Sequence, residues 1–415
     1  MIGANTSDGA GNVTMYAGYR EIDAVTSGRR DWNNCALGGG ADEWSCGGSS
    51  TLPQGRFTDF GVVDPSFDFI IGNGNEFVDR QGELYNYQPP NFIQRPDERY
   101  TVGALGHYRF NDAFEAYSEV SYMDDVSDAQ IAPSGAFFVT STLPCGNPLL
   151  SAQQFQRLCG DYGLTAADTQ SVYIGRRNVE GGFRTNLTTH TSSRIVVGAR
   201  GDITDAWSYD VHVNSGRVKL AQTYLNDLST TRIIRALNVV ADPVTGDPVC
   251  ASVLDGSDPN CIPWNVFEEG GVLPDGQDPV QGYIAKALFA TGSVTTDIAS
   301  GYVTGDMGQY GVKLPTADTG IQLVGGYEYR QEKITYEPDD GFQSGDGAGQ
   351  GGATTAVNGS FAVKDFFFEA QIPLFEGYDL AQSVNLNLGY RYSDYNTNQT
   401  TDTYKGCLLY TSPSP

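Results

Sequence analysis

The residues best suited to chemistry in this chain are its cysteines, of which the 415 residues contain seven. Six of them form close pairs, which are Cys35 with Cys46, Cys145 with Cys159, and Cys250 with Cys261. A disulfide in each pair would close a loop of about a dozen residues and pin a loop that lacks a core, and at about this size it stabilises by about 3 kcal/mol. Free buried thiols are a less favoured alternative. A zinc site is disfavoured, because no pair has C-x2-C spacing. Disulfides predict an oxidising compartment.

The three histidines are His107, His190 and His212, and each is isolated from the cysteines and from the other histidines. His107 and His212 fall on the polar positions of alternating segments, so a contact along a wall is favoured over catalysis. The sequence has no G-x-S-x-G, H-E-x-x-H or P-loop motif. We therefore predict no catalytic residue, no metal ligand and no cofactor, and a protein that is not an enzyme.

An acidic stretch runs from Glu337 through Asp339 and Asp340, and Asp346 follows it. Its carboxylate oxygens could hold calcium. The stretch lacks the EF-hand spacing, so a solvated loop is the favoured interpretation.

The overall charge excludes several classes of protein. The chain has 25 Lys and Arg against 50 Asp and Glu, a formal net charge of -25. Nucleic-acid binding needs basic patches and is disfavoured. Disorder is also disfavoured, because 12% of the residues are aromatic and only 18% are charged. No apolar run reaches the ~18 residues of a membrane-spanning helix.

Apolar and polar residues alternate along much of the chain, which predicts long strands. Nine are readable, at residues 12–25, 98–110, 113–124, 192–204, 206–219, 300–313, 320–336, 361–373 and 383–396. Tight turns are predicted at residues 6–11, 110–114, 204–206, 315–319 and 375–382, and the strand before the first of these turns is expected to be missing. Long connections are predicted at residues 26–97, 125–191, 220–299 and 337–360. The first three hold the cysteine pairs, and residues 151–158 and 231–240 within them have helical spacing. We expect the long connections to be solvated and to carry much of the negative charge.

Short turns that alternate with long loops are typical of an outer-membrane barrel. The predicted fold class is therefore all-β, an antiparallel transmembrane β-barrel with long extracellular loops. A soluble sandwich is the alternative, although its strands usually have about 5–6 residues. Aromatic residues near the strand ends support a barrel, but an aromatic-rich core would explain them nearly as well.

The polar positions of the strands supply the candidate site residues. The candidates for lining the barrel lumen are Arg194, Arg200, His212, Arg330, Glu369 and Arg391. The arginines could bind an anionic ligand or a carboxylate of another domain. The favoured alternative is that they pair with acidic residues of neighbouring strands, which are Asp202, Asp210, Glu328 and Glu369.

Several stretches of the chain resemble the barrel region of TonB-dependent outer-membrane receptors. They are PDERY at 96–100 leading into 108–112, CGNPLLS at 145–151, the 193–202 segment with its Trp207 hairpin, DGSDPNCIPWN at 255–265, and 369–374 with 388–395. The resemblance implies a 22-stranded barrel closed by an N-terminal plug. It implies uptake of a scarce ligand of the siderophore, cobalamin, haem or glycan class, driven through TonB. The implied partners are outer-membrane lipid, a plug domain of the same chain, TonB and the ligand. The implied location is the outer membrane of a Gram-negative bacterium.

The sequence departs from that family in what it lacks. It shows no signal peptide, TonB box, plug or closing aromatic strand. We therefore expect a fragment, with about nine barrel strands in residues 1–396. Residues 397–415 are expected to end the last strand and to include a non-native tail from Cys407. The alternatives are a porin or adhesin barrel without energy coupling, and a secreted β-rich hydrolase.

Overall fold

The dominant feature of the computed structural model is one antiparallel sheet of eleven strands, which pair in sequence order. The structure describes residues 1–39, 43–62, 64–269, 271–273, 277–378 and 381–411. The sheet strands are Ile2–Asn5 (β1), Gly11–Ile22 (β2), Asp97–Asn111 (β3), Phe114–Ile131 (β4), Arg184–Thr204 (β5), Trp207–Leu228 (β6), Ala285–Asp306 (β7), Gln322–Pro338 (β8), Val357–Tyr378 (β9), Ala381–Tyr395 (β10) and Gln399–Thr411 (β11). The sheet is not closed, and β1 and β11 are its edges.

The structure is mostly β, and the predicted antiparallel pairing of the long strands is confirmed. Each of the nine predicted strands has a counterpart in the sheet, but three predictions about the strands were wrong. The strand expected at residues 300–313 is Ala285–Asp306. The turn at residues 6–11 has a first strand, Ile2–Asn5, where we expected none. Residues 399–411, which include Cys407, form a further strand paired with β10, and are not the end of the strand before them. Residues 412–415 of the expected tail lie outside the described residues.

The connections between strands are of two kinds. Three hairpins, β1–β2, β3–β4 and β5–β6, close through short turns at one end of the sheet. A longer link between β7 and β8 contains a 3₁₀ turn at Met307–Tyr310. The predicted turn at 375–382 includes residues 379 and 380, which lie outside the described residues. At the opposite end, residues 396–398 join β10 to β11, so not every connection at that end is long.

The long connections are folded, which corrects the expectation of solvated loops. We call residues 23–96, 132–183, 229–284 and 339–356, as far as they are described, the loop layer. One five-stranded sheet within it has the spatial order Gly135–Phe137, Tyr173–Arg177, Arg56–Thr58, Asp68–Ile71, Phe77–Asp79. Four hairpins pair Val25–Thr26 with Phe92–Gln94, Leu37–Gly39 with Trp44–Cys46, Thr142–Pro144 with Thr169–Ser171, and Val239–Ala241 with Pro248–Cys250.

The helices all lie in the loop layer. They are Ala152–Leu158 (α1), Thr230–Leu237 (α2), Ala251–Leu254 (α3), Pro279–Ile284 (α4) and Asp340–Ser344 (α5). Further 3₁₀ turns occupy Ser27–Arg29, Asp31–Asn33, Gly160–Tyr162 and Val179–Gly181. The two helices expected at 151–158 and 231–240 are confirmed. Ser151 and Ser229 cap α1 and α2 by accepting a backbone N–H of the first turn. Among the described residues, no helix has the length and apolarity to cross a membrane.

The loop layer has a hydrophobic core of its own, drawn from three of the long connections. Phe57, Leu158, Ile174, Ile233 and Trp264 are all fully buried in it. Phe57 packs against Phe77 and Phe267 with ring centroids 4.7 and 5.5 Å apart. Burial of such side chains contributes roughly 1.5–3 kcal/mol each, which favours a folded layer over separate mobile loops.

Candidate functional site

The alternation along each strand gives the main sheet two different faces, because neighbouring strands pair in register. On one face, Met15, Ala104, Val120 and Ile195 follow one another across β2 to β5. Large apolar side chains on this face are exposed, among them Val213 at 57%. We call it the apolar face, and the opposite side the charged face.

The charged face carries a row of alternating charges near the short-turn end. Arg109, Glu115, Arg200 and Asp210 pair successively across β3 to β6. Arg200 Nε donates to Glu115 Oε1 at 2.9 Å, and Arg109 Nε donates to Glu115 Oε2 at 3.2 Å. Tyr117 Oη donates to Asp210 Oδ1 at 2.7 Å. A cavity of about 320 Å³ opens beside these residues. Each cation of this row has an acidic partner.

All six candidate site residues lie on the charged face, according to the strand register. Their acidic or basic contacts are Arg194 with Glu119 at 3.1 Å, Arg200 with Glu115, His212 with Asp210 at 3.4 Å, Arg330 with Glu332, Glu369 with Lys405 at 3.2 Å, and Arg391 with Asp365 at 2.6 Å and Glu328 at 3.0 Å. Pairing was the favoured interpretation, and Glu328 is a correctly predicted partner.

The other predicted partners were wrong. Glu369 pairs with Lys405 of β11 instead of an arginine. Asp210 accepts from Tyr117 and contacts His212, while Arg200 turns to Glu115 on β4. The error arises because each strand has two neighbours, and alternation does not say which neighbour supplies the partner. That this face lines a lumen stays a prediction.

The three predicted cysteine pairings are present as disulfides. Cys145–Cys159 and Cys250–Cys261, each with a Cα–Cα distance of 6.0 Å, lie in the core of the loop layer. This corrects the expectation that each disulfide pins a loop without a core. Cys35–Cys46 instead closes an exposed hairpin. Cys407 is a free, exposed cysteine on β11.

A polar cluster stands beside the third disulfide. Asp258 Oδ2 accepts from Tyr283 Oη at 2.7 Å and from Arg235 Nη1 at 2.9 Å. The hydrogen bond from Tyr283, followed by the hydrogen bond from Arg235, holds the pKa of Asp258 below its usual value. Burial and then the bond to Asp258 raise the pKa of Tyr283 to about 12. Asp258 is therefore ionised near neutral pH and tethers its loop to α2 and α4.

The acidic stretch considered for calcium has structural roles. Asp339 caps α5 by accepting from Phe342 N at 2.9 Å. Asp346 accepts from Ser229 Oγ at 2.7 Å and from Thr231 N at 2.9 Å. Burial alone would raise the pKa of Asp346, but these hydrogen bonds lower it. No group of three or more His, Cys, Asp or Glu suited to a metal ion occurs among the described residues.

A buried carboxylate that the sequence analysis missed joins three parts of the chain. Asp227, at the loop-layer end of β6, is completely buried. Its Oδ1 accepts from Ser134 Oγ at 2.6 Å, from Leu228 N at 2.9 Å and from Gly349 N at 2.9 Å. No local pattern marks this aspartate, because its partners come from two distant connections.

No protein-family model and no curated protein matches the chain. What the chain can do is therefore inferred from its own geometry, which combines an exposed apolar sheet face, a charged face and a folded, disulfide-linked loop layer.

Proposed function

We propose that this chain is the wall and outer loop layer of an outer-membrane receptor barrel of the TonB-dependent kind. In the intact protein, the loop layer captures a scarce ligand of the siderophore, cobalamin, haem or glycan class. A plug domain of the same protein then admits the ligand, driven by TonB. The proposed location is the outer membrane of a Gram-negative bacterium.

The observation that carries the proposal is the exposed apolar face of the main sheet. Contiguous apolar patches above a few hundred Å² are rare on soluble proteins. Here Met15, Val213, Phe366 and Tyr404 on different strands are all more than half exposed. Contact with lipid would remove these apolar side chains from water. The strands β5 and β6 have 21 and 22 residues, which is more than the ~9–11 that span a membrane.

Two further features support it. The three disulfides favour an oxidising compartment. The edges of β1 and β11 carry backbone groups without a strand partner in the described sheet, and such groups are costly in lipid. We therefore propose that further strands pair with these edges and complete the barrel.

Membrane insertion is tested by cysteine labelling at two neighbouring positions. In a Cys407→Ser background, Val213→Cys places a thiol on the apolar face and Asn214→Cys places one on the charged face. Intact outer membranes are treated with a lipid-soluble and a water-soluble maleimide. We expect Val213→Cys to react only with the lipid-soluble reagent and Asn214→Cys to react with the water-soluble one. Recovery of the protein as a soluble species would refute a membrane barrel of either kind, whether a TonB-dependent receptor or a porin.

Energy coupling is tested separately, in cells that express the intact gene. Uptake of iron complexes, cobalamin, haem and glycans is compared with and without an active TonB system. Loss of uptake without TonB supports the receptor, whereas uptake that persists identifies a porin-like barrel.

Closure by further strands predicts that residues 1–396 alone do not form a barrel. Open edges invite pairing with other chains. A compact, heat-resistant band from this segment in detergent would contradict closure by further strands.

A further inference from the structure

A cavity of about 330 Å³ lies where the first two long connections meet the ends of β4 and β5. Tyr87 and Asn91 come from the first connection, and Ile131 and Phe137 from the end of β4 and the segment after it. Arg177 and Arg184 also line the cavity. The volume is at the lower end of the roughly 300–1,000 Å³ that small-molecule sites occupy.

Arg177 is a buried cation that has no acidic partner among the described residues. Its side chain lies between two rings, with Cζ 4.9 Å from the centroid of Phe137 and 5.1 Å from that of Tyr85. Nη1 donates to Pro133 O at 3.0 Å. Nε is buried and has no hydrogen-bond partner in the described chain. Residue exposure is only 4%.

Arg184 is the second cation of the cavity. Nε donates to Ala132 O at 2.8 Å and Nη1 donates to Gly349 O at 3.2 Å. Asp227 also binds Gly349: its Oδ1 accepts three hydrogen bonds, and its buried Oδ2 has no hydrogen-bond partner among the described residues. In the part of the chain that the structure describes, neither arginine has a carboxylate oxygen within 4.0 Å.

Arg176, the residue before Arg177, shows that a buried arginine in this segment can have an acidic partner. Arg176 is 6% exposed, and its guanidinium forms an ion pair with Glu180. A buried charge is costly unless it is paired, and removing a partner usually leaves a strongly unfavourable state. Burial, and next the positive charge of Arg184, lower the pKa of Arg177 to about 10. Although the chain has 50 acidic and 25 basic residues, no carboxylate oxygen of the described residues lies within 4.0 Å of either cation.

We infer that this cavity binds a small organic anion, whose carboxylate lies against Arg177 and Arg184 while its apolar body packs on Phe137 and Ile131. A guanidinium presents its donors in a fork that matches a carboxylate. The aromatic and aliphatic lining disfavours a bare inorganic ion. This inference names the ligand class for the proposed function. It rests on the proposed function, which assumes that the cavity faces the ligand.

The test measures equilibrium binding of benzoate to the full-length protein, purified in the form in which cells make it. Benzamide is the neutral isostere and inorganic phosphate is the oxyanion without an apolar body. We expect benzoate to bind with at least tenfold higher affinity than either. Absence of benzoate binding by protein with intact disulfides would overturn the inference, as would equal binding of benzamide. Tighter binding of phosphate than of benzoate would overturn the assigned apolar body.

Two variants separate the site from general electrostatics. Arg177→Gln should lose at least tenfold in benzoate affinity without a lower thermal midpoint, since it removes an unpaired buried charge. Arg157→Gln removes an arginine of the same layer, which pairs with Asp79, and should bind benzoate like the parent protein. Equal losses in both variants would assign binding to net charge and refute the site. Benzoate binding requires no transport, so failed uptake with intact binding would count only against the proposed function.

Discussion

The main sheet and the loop layer treat their apolar side chains in opposite ways. The sheet exposes them on one face, as Val213 shows, whereas the loop layer buries them, as Phe57 and Trp264 show. The loop layer therefore has a core of its own, while the sheet leaves the apolar side chains of one face uncovered. Stability in the two regions should respond to different substitutions.

The largest effect should come from the core of the loop layer. Phe57→Ala removes a fully buried ring and should cost about 3–5 kcal/mol. Hydrogen exchange should then accelerate in the loop layer and stay unchanged in β5 and β6. The control Trp44→Ala, at a 73% exposed position of the same layer, should cost less than about 0.5 kcal/mol. A uniform loss of protection across the sheet would show that the two regions are one cooperative unit.

The next effect concerns the disulfides. Cys145 and Cys159 are both buried, and replacing both by serine should cost about 3 kcal/mol in urea unfolding, by removal of a constraint on the unfolded chain. Replacing Cys35 and Cys46 should have a smaller effect, because that hairpin is exposed and adds little to the core. A larger loss of stability on replacing the exposed pair would contradict the conclusion that the Cys145–Cys159 disulfide, and not the Cys35–Cys46 disulfide, belongs to the core.

A charge on the apolar face tests the sheet directly. Val213→Arg should reduce stability in lipid by about 2 kcal/mol or more, the cost of arginine on a lipid-facing strand. Val244→Arg is the matched control, because Val244 is 90% exposed in the loop layer. The measurement is the unfolding midpoint in lipid vesicles. Equal midpoints for the two variants would mean that the apolar face does not meet lipid.

The smallest effect should be a pH dependence in the loop layer. The pKa of Asp258 is depressed in the folded state by Tyr283 and then Arg235. Its stabilisation is therefore present above the unfolded pKa of about 3.9 and is lost as pH falls through the folded value. Asp258→Asn should lower the free energy of unfolding at about pH 6 by roughly 0.2–1 kcal/mol, the value of a pair of this kind. At about pH 2 the same substitution should have nearly no effect. Urea midpoints at both pH values check this, and an equal effect at both would exclude the ionised carboxylate as the cause.

Sequence alternation predicted the sheet wherever one face is apolar, and failed where both faces are polar. The start of β5, which reads TNLTTHT at residues 185–191, has hydroxyls and amides on both sides and was predicted to be part of a loop. Residues 291–297 of β7, which read TGSVTTD, are mostly small or polar and were also predicted to be part of a loop. Cysteine spacing was sufficient for all three disulfides, and the Ser151 cap for α1.

The loop-layer core and the arginine cavity could not be predicted from the sequence. Phe57, Leu158 and Trp264 come from three connections and share no periodicity. Arg177 follows Arg176 directly, and nothing local indicates that one is paired with Glu180 and the other is not. Both features depend on contacts between segments that are distant along the chain.

The buried carboxylate of Asp227 has a consequence for the timing of ligand exchange. It ties Ser134 of the second connection and Gly349 of the fourth to the end of β6, and Arg184 at the cavity donates to the same glycine. These connections cannot separate without breaking the same set of hydrogen bonds. Entry and exit of a ligand should therefore follow one opening rate shared by all of them, instead of an independent rate for each loop.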